Sequence, residues 1–199
     1  MSDARESILA ALRLAASRAA PVERGGHFRP PAGGDVVEAF VLKVPGTAAS
    51  LERLPNAGAV PSAVDAYRLK LGLNGPVAIA PALAKLEWPA ELPTAPIRQA
   101  ELAVTVAQAG IAETGTLLLT SGPETPTTLN FLPDHALVVL NTTQIVADLD
   151  AALATLDPDA MPRAVNFVTG PSRTADVEQT IQLGAHGPRS LHILLLTSA

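Results

Sequence analysis

The stretch GIAETGTLLLTSG, residues 110–122, sets one carboxylate among glycine and threonine at the mouth of an apolar run. Glu113 is the only acid between Glu101 and Glu124. A carboxylate aimed into a partly apolar pocket has a raised pKa and serves as general acid, general base or nucleophile. Gly115 can take a positive φ or let another group approach the backbone closely. Thr114 and Thr116 add hydroxyls on either side of it. The plainer reading makes Glu113 a helix cap, or a solvated partner of a nearby base.

A second stretch, TGPSRTADVEQ at residues 169–179, also has the composition of a binding turn. A strand is expected to end at Thr169 and a helix to begin near Thr174. The free N–H groups and positive end of such a helix favour an anion. Gly170 opens the turn, Ser172 and Thr174 supply hydroxyls, and the Arg173 fork can hold a carboxylate or phosphate by two prongs. Asp176 and Glu178 suit the helix dipole but repel an anion, so ordinary capping beside a solvated arginine is the competing reading.

The histidines are His27, His135, His186 and His192. No pair has the i, i+4 spacing of a helical zinc site, and there is no H-E-x-x-H, so no metal site is expected. His192 lies inside an apolar run and reads as a packed core residue. His186, in the turn GAHGP, is the candidate site histidine. A Ser-His-Asp triad assembles in space and stays open, but no G-x-S-x-G elbow supports one. Neither a G-x-x-x-x-G-K-[ST] loop nor a G-x-G-x-x-G after a strand is present.

These turns need elements to position them. Ser2 or Asp3 can cap a first helix whose apolar residues Ile8, Leu12, Ala15, Ala16 and Ala19 share one face, ended by Pro21. Residues 24–35 are rich in Gly and Pro and read as a linker or long loop. The expected division is an N-terminal helix and arm at 1–34 and one α/β domain at 35–199. Within the domain, strands are expected at 40–44, 76–80, 102–106, 116–120, 137–140, 164–168 and 191–196. Helices are expected at 47–54, at 62–71 capped by Ser62, after Thr142 or Thr143 through Leu156, and at 174–183 closed by Gly184. Residues 86–96, with three prolines and Trp88, form an irregular connection. The strands are short and apolar on both faces. That alternation predicts an α/β layered fold, a largely parallel sheet flanked by helices. In such folds ligands sit outside the carboxyl ends of the strands.

Bulk properties narrow the function. The 199 residues are 48% hydrophobic and 17% charged, so the chain is globular and long enough for one sizeable core. Only 3% are aromatic and the net charge is −5. Neither a stacking surface for single-stranded nucleic acid nor a basic phosphate-tracking face is expected. The absence of cysteine excludes a disulfide, a cysteine nucleophile and a Cys-ligated iron–sulfur cluster held by this chain. Charges at Asp3, Arg5, Glu6, Arg13 and Arg18 interrupt any signal-peptide core, and no apolar run reaches the ~18 residues of a membrane span. The expected location is the cytoplasm, without membrane or nucleic-acid partners.

Four ordered motifs carry a resemblance. GIAETGTLLL, LPDHALVVL followed by QIV, TGPSRTADVE and GAHGPRSLHILLL resemble the lactate-utilisation protein C family, which is built on the LUD domain. The likeness covers roughly residues 100–197. The first helix, the Gly/Pro loop and Trp88 with Pro89 are similar more loosely. The resemblance implies a fold like that of ribose-5-phosphate isomerase, glucosamine-6-phosphate deaminase and the CoA transferases. It also implies a role in oxidising L-lactate to pyruvate together with iron–sulfur partner proteins, which would hold the clusters while this chain binds no cofactor. The CoA transferases use a glutamate nucleophile, which by analogy of fold suggests that task for Glu113. Where the family pattern carries an arginine before the LP turn, this chain has Glu124 and no base, leaving Arg173 as the carboxylate holder. The implied pocket joins Glu113, Thr114, Gly115 and Thr116 to Gly170, Ser172, Arg173, Thr174 and His186. Two alternatives stay open: a stand-alone enzyme on a phosphorylated sugar or acyl-CoA, and a non-catalytic subunit that assembles the iron–sulfur partners.

Overall fold

The computed structural model describes residues 2–18, 34–174, 182–183 and 187–198. The chain divides into two units, Met1–Ala32 and Gly33–Ala199. The first contains the helix α1, Ser2–Arg18.

The second unit begins with α2, Val36–Lys43, followed by a 3-10 turn at Val44–Thr47 and the strand β1, Ser50–Leu54. Next come α3 (Val60–Lys70), β2 (Val77–Ile79), β3 (Leu102–Val106), β4 (Ala109–Ile111) and β5 (Thr116–Thr120). The short helix α4 (Thr128–Phe131) leads into β6 (His135–Asn141), β7 (Ile145–Val146) and α5 (Leu149–Leu153). The chain then runs through β8 (Val165–Val168), β9 (Arg173–Thr174), β10 (Gln182–Leu183) and β11 (Ser190–Leu196).

A five-stranded, all-parallel sheet in the order β1-β11-β6-β3-β2 forms the middle layer. Its central strands read LHILLL and ALVVL because both faces are covered. Leu191, Ile193 and Leu195 of β11 share one face with Ala136, Val138 and Leu140 of β6. There they pack against Phe40 and Val44, and against Leu117 and Leu119 of β5. Leu194, Leu196, Leu137 and Val139 point the other way, onto Val60 and Val64 of α3 and onto Leu83 and Leu92. A second, four-stranded sheet, β7-β4-β5-β8, lies over the first face. Its outer side, through Ile111 and Leu118, packs on Ala152 of α5.

The expected α/β layering around a largely parallel sheet is present. The second sheet was not anticipated, because β4 is three residues long and β5 reads like any buried strand. Several elements differ from expectation. Residues 40–44, expected as a strand, lie in and just after α2, which Asp35 caps by accepting from Val37 N at 2.8 Å. Residues 47–54, expected as a helix, instead pass through the left-handed Ala48 (φ 63°) into β1, because their backbone pairs with β11. Ser62 does not cap α3; it sits inside the helix with its hydroxyl on Ala59 O. The long helix expected after Thr142 is a 3-10 turn capped by Asn141, then β7, then the short α5 capped by Asp148. The helix expected from Thr174 is also overturned at both ends. Arg173–Thr174 and Gln182–Leu183 pair as an antiparallel ribbon, and tertiary pairing outweighs the local helix signal. Gly184 lies outside the described residues.

Candidate functional site

Both chemistry-bearing turns pack on one short segment, the end of α2 and the 3-10 turn Val44–Thr47. The β4–β5 turn reaches it through Gly115, whose φ is +69°; a Cβ there would stand 3.1 Å from the backbone of Lys43 and Val44. The turn after β8 reaches it through Gly170, at φ +87°, where a Cβ would land on the carbonyl oxygen of Thr47. Only glycine allows that conformation and that approach together. Thr47 is the hub. Its hydroxyl donates to Val44 O at 2.7 Å, and its carbonyl accepts from the Arg173 guanidinium at 3.2 Å.

A chain of hydroxyls joins the two turns. Thr114 Oγ1 lies 2.7 Å from Thr116 Oγ1, which lies 2.7 Å from Thr169 Oγ1. Thr116 is buried, while Thr114 and Thr169 at the two ends are exposed, so the buried hydroxyl bridges two surface turns. The turn after β8 is tied on its other side by Ser172 N donating to Pro188 O at 2.9 Å.

A cleft of about 240 Å³ opens beside these turns. Leu119, Ala136, Val138 and Leu191 form its floor between the two sheets. Phe131, Phe167, residues 169–172, Gly187 and Pro188 complete its wall. It sits toward the amino ends of β6 and β11, not at the carboxyl ends expected for such sheets. There Leu119 of β5 and the residues from Phe167 to Ser172 at the end of β8 close it against the parallel sheet. Among the described residues, no charged side chain lines this cleft. Asn130, also in the wall, is 6% exposed, and its Oδ1 is shielded from solvent with no hydrogen-bond partner among the described residues.

Of the expected site residues, Gly170 and Ser172 line the cleft. Thr116 reaches it through Thr169, with Thr114 behind it, and Gly115 anchors their turn. Glu113 is exposed on the β4–β5 turn, its N–H bonded to Ala147 O at 3.0 Å, and it is not in the cleft wall. Arg173 is exposed, with its guanidinium on Thr47 O. The backbone of Thr174 pairs with Gln182, so the helix end expected to cradle an anion is not formed there. His186 lies outside the described residues. Sequence reasoning missed Thr169 and Asn130. The signal for Asn130 was a lone amide between Leu129 and Phe131.

On the opposite face of the parallel sheet, two histidines share a polar cluster. His135 Nδ1 lies 2.7 Å from Ser190 Oγ, which shares a 3.1 Å hydrogen bond with Tyr67 Oη. His192 Nδ1 lies 2.7 Å from Ser50 Oγ, and its ring stacks on Tyr67 with centroids 4.8 Å apart. Burial holds the pKa of both histidines below the ordinary value. Glu101 and Asp134 oppose the shift at His135, and Glu52 opposes it at His192. His192 is thus the packed residue its strand pattern implied. Among the described residues no group of three or more His, Cys, Asp or Glu is placed to hold a metal ion. No described helix is long and apolar enough to cross a membrane.

Fold and site define an α/β protein of two stacked sheets with an apolar cleft between them, lined on one side by the glycine-containing turn after β8. The LUD domain family model matches residues 95–196, just over half of the sequence, and the chain belongs to that family. That stretch contains all four motifs on which the resemblance was read. An uncharacterised protein of Neisseria meningitidis is 42% identical over 92 residues, 45% of this chain and 40% of that protein. Proteins named lactate utilization protein C match as well. The one from Geobacillus kaustophilus is 29% identical over 134 residues, covering 58% of this chain and 56% of its own length. The one from Exiguobacterium is 34% identical over 103 residues, covering 49% and 45%. The chain thus spans about half the length of the curated relatives it matches. The crystal structure of a DUF162 family protein from Deinococcus radiodurans shares the fold, with a TM-score of 0.60 at 18% identity, covering 81% of this chain and 96% of that one.

Proposed function

We propose that the chain is a cytoplasmic component of an L-lactate utilisation system, acting with iron–sulfur partner proteins in the oxidation of L-lactate to pyruvate. The observation that carries this reading is the coincidence of family and geometry. The LUD match spans both turns, both turns pack on Val44–Thr47, and the one after β8 lines the cleft. Similar proteins bear the name lactate utilization protein C, which supports the pathway. The sequence has no cysteine, so in this reading the Cys-ligated clusters belong to the partners.

In this reading Gly170, Ser172 and Thr169 receive the substrate. Thr114, Gly115 and Thr116 hold the turn that supports them. Arg173, next to Ser172, takes the substrate carboxylate when it leaves the Thr47 carbonyl, and Thr174 and His186 complete the site. Glu113 is the residue for general base or nucleophile chemistry. Its exposure outside the cleft wall favours a second reading, a non-catalytic subunit that presents the cleft to its partners. A stand-alone enzyme on a phosphorylated sugar or acyl-CoA finds less support, because no cation lines the cleft among the described residues.

Growth of a deletion strain on L-lactate tests the reading, with rescue by the natural chain, by Glu113→Gln or by Ser172→Ala. The natural chain alone restoring growth assigns both residues to the function. Rescue by Glu113→Gln but not Ser172→Ala supports the non-catalytic subunit. Unimpaired growth of the deletion strain overturns the assignment.

A further inference from the structure

The histidine cluster on the α3 face of the parallel sheet contains an arrangement that the lactate reading does not use. Ser50 and Glu52 stand two apart on β1, and His192 of β11 lies opposite Ser50, so strand alternation turns all three side chains to one face. Ser50 Oγ is 2.7 Å from His192 Nδ1, and Glu52 Oε2 is 3.7 Å from Nε2 of the same ring. This geometry decides which atom donates. Nε2 is buried, with no hydrogen-bond partner among the described residues, and the Glu52 carboxylate is the group that faces it. A bare Nε2 would set its lone pair against that carboxylate, so the ring proton belongs on Nε2. Nδ1 is then the acceptor, and the Ser50 hydroxyl donates to it. The ring is held by stacking on Tyr67, with centroids 4.8 Å apart and 26° between the planes. Burial lowers its pKa, so at neutral pH it is an uncharged base; Glu52 opposes that shift and Lys70 of α3 adds to it. His192 is 7% exposed, whereas Ser50 is open to solvent at the start of an edge strand. A nucleophile within reach of a base that a third group orients is the arrangement of an activated serine.

We infer that Ser50 is a nucleophilic serine, with His192 as its base and Glu52 as the group that positions His192, and that it accepts small uncharged acyl groups from activated esters. Its place on the open edge suits a donor met from solution, and the half-exposed Glu52 carboxylate beside it repels an anionic one. Ser50 Oγ bonds to the carbonyl carbon, and its proton passes to His192 Nδ1. The bond to the leaving oxygen breaks, and that oxygen takes the proton from Nδ1. Water, giving its proton to the same nitrogen, then attacks the acyl-serine; the carboxylic acid departs and Ser50 recovers its proton. The imidazolium formed between these steps lies against the Tyr67 ring and turns its Nε2–H to Glu52, and both contacts favour it. The two ring nitrogens exchange the roles they have in the usual serine triad, and no elbow motif marks the serine. This site is separate from the cleft and does not depend on the lactate reading.

The test is hydrolysis of p-nitrophenyl acetate by the purified full chain, together with labelling by a fluorophosphonate and peptide mapping. Expected are nitrophenol release and a label on the peptide that carries Ser50, both lost in Ser50→Ala. Ser62→Ala, a change at an exposed serine whose hydroxyl bonds to Ala59 O, should alter neither. His192→Asn should slow both reactions roughly 100- to 10,000-fold. The pH profile of the natural chain gives a second measurement should that variant fail to fold. Its rate should rise to a plateau with a midpoint below 6.5, where His192 gives up its proton. Glu52→Gln should move the midpoint lower and Lys70→Gln should move it higher, because Glu52 raises the pKa of the ring and Lys70 lowers it. Nitrophenol release that survives Ser50→Ala overturns the inference. So does a label spread over Ser62 and other exposed serines as readily as Ser50, or a rate that climbs steadily with pH as attack by free hydroxide does.

Discussion

Substituting Gly170 with alanine tests the idea that the turn after β8 is held by a backbone approach only glycine permits. Two costs add. A non-glycine residue at φ +87° loses about 1–2 kcal/mol to its own Cβ and carbonyl. The new methyl also lands on the Thr47 carbonyl oxygen, which is rigid backbone, and forcing atoms into a packed site costs typically about 1–3 kcal/mol. The sum, roughly 2–5 kcal/mol, is a large share of the roughly 5–15 kcal/mol that keeps a domain folded. For a chain of this size it lowers Tm by roughly 5–15 °C. Gly72 supplies the control. Its φ is +66°, but a Cβ there would meet nothing within 4 Å, so Gly72→Ala carries the backbone cost alone, about 1–2 kcal/mol. Both changes restrict the unfolded chain equally, and that effect cancels in the comparison. Thermal and urea unfolding followed by circular dichroism read the difference. Equal losses for the two variants would refute the claim that Gly170 is pinned against Thr47.

Stability should also depend on pH through His135 and His192. Burial holds both folded pKa values below the ordinary 6.5. The unfolded chain therefore takes up protons first as pH falls. This contribution is fully present above about pH 6.5 and is lost as pH drops below it toward the folded values. The urea midpoint should fall between about pH 7.5 and 5.5, and the paired His135→Asn and His192→Asn changes should flatten that slope. A flat profile in the natural chain would sink the argument. Thr105 is 1% exposed and its hydroxyl has no partner, so Thr105→Val exchanges an unpaired buried hydroxyl for a methyl of similar size. A gain of about 1 kcal/mol and a Tm rise of roughly 2–4 °C are expected, and a loss of the same size would show that the hydroxyl is bonded.

The parallel layer was legible because its strands are apolar on both faces. LAVTV, ALVVL and LHILLL have no other use for so many buried branched residues. What the sequence hid was decided elsewhere in the chain. EAFVLK is apolar enough for a strand, and only the Asp35 side chain accepting from Val37 N and Glu38 N marks a helix start. An Asp-x-x-Glu signal was in fact present in residues 35–38. SLERL reads as helical, yet residues some 140 positions later pair with its backbone. The two chemistry-bearing turns are visible in glycine, hydroxyl and charge content, and they do meet. Their relation to the cleft was not readable, since it depends on Thr47 and on a second sheet built from short strands. The anion cradle expected at residues 172–174 needs a helix that Arg173–Thr174 does not begin, because those residues pair with Gln182–Leu183 instead.

The position of β11 carries a consequence for how the protein is made. The strand formed by Ser190–Leu196 lies inside the parallel sheet, between β1 and β6. It bonds to a strand whose residues were synthesised some 140 positions earlier; Ser50 and His192, hydrogen-bonded to each other, are 142 apart. Until that segment leaves the ribosome, β1 has no neighbour and β6 shows one bare edge. The emerging chain must carry Leu137, Val138 and Val139 uncovered until β11 arrives. Parallel pairings that close such long loops are slow and expose sticky edges while they wait. Nascent chains arrested before residue 190 should therefore depend on chaperones far more than chains arrested after residue 196 has emerged.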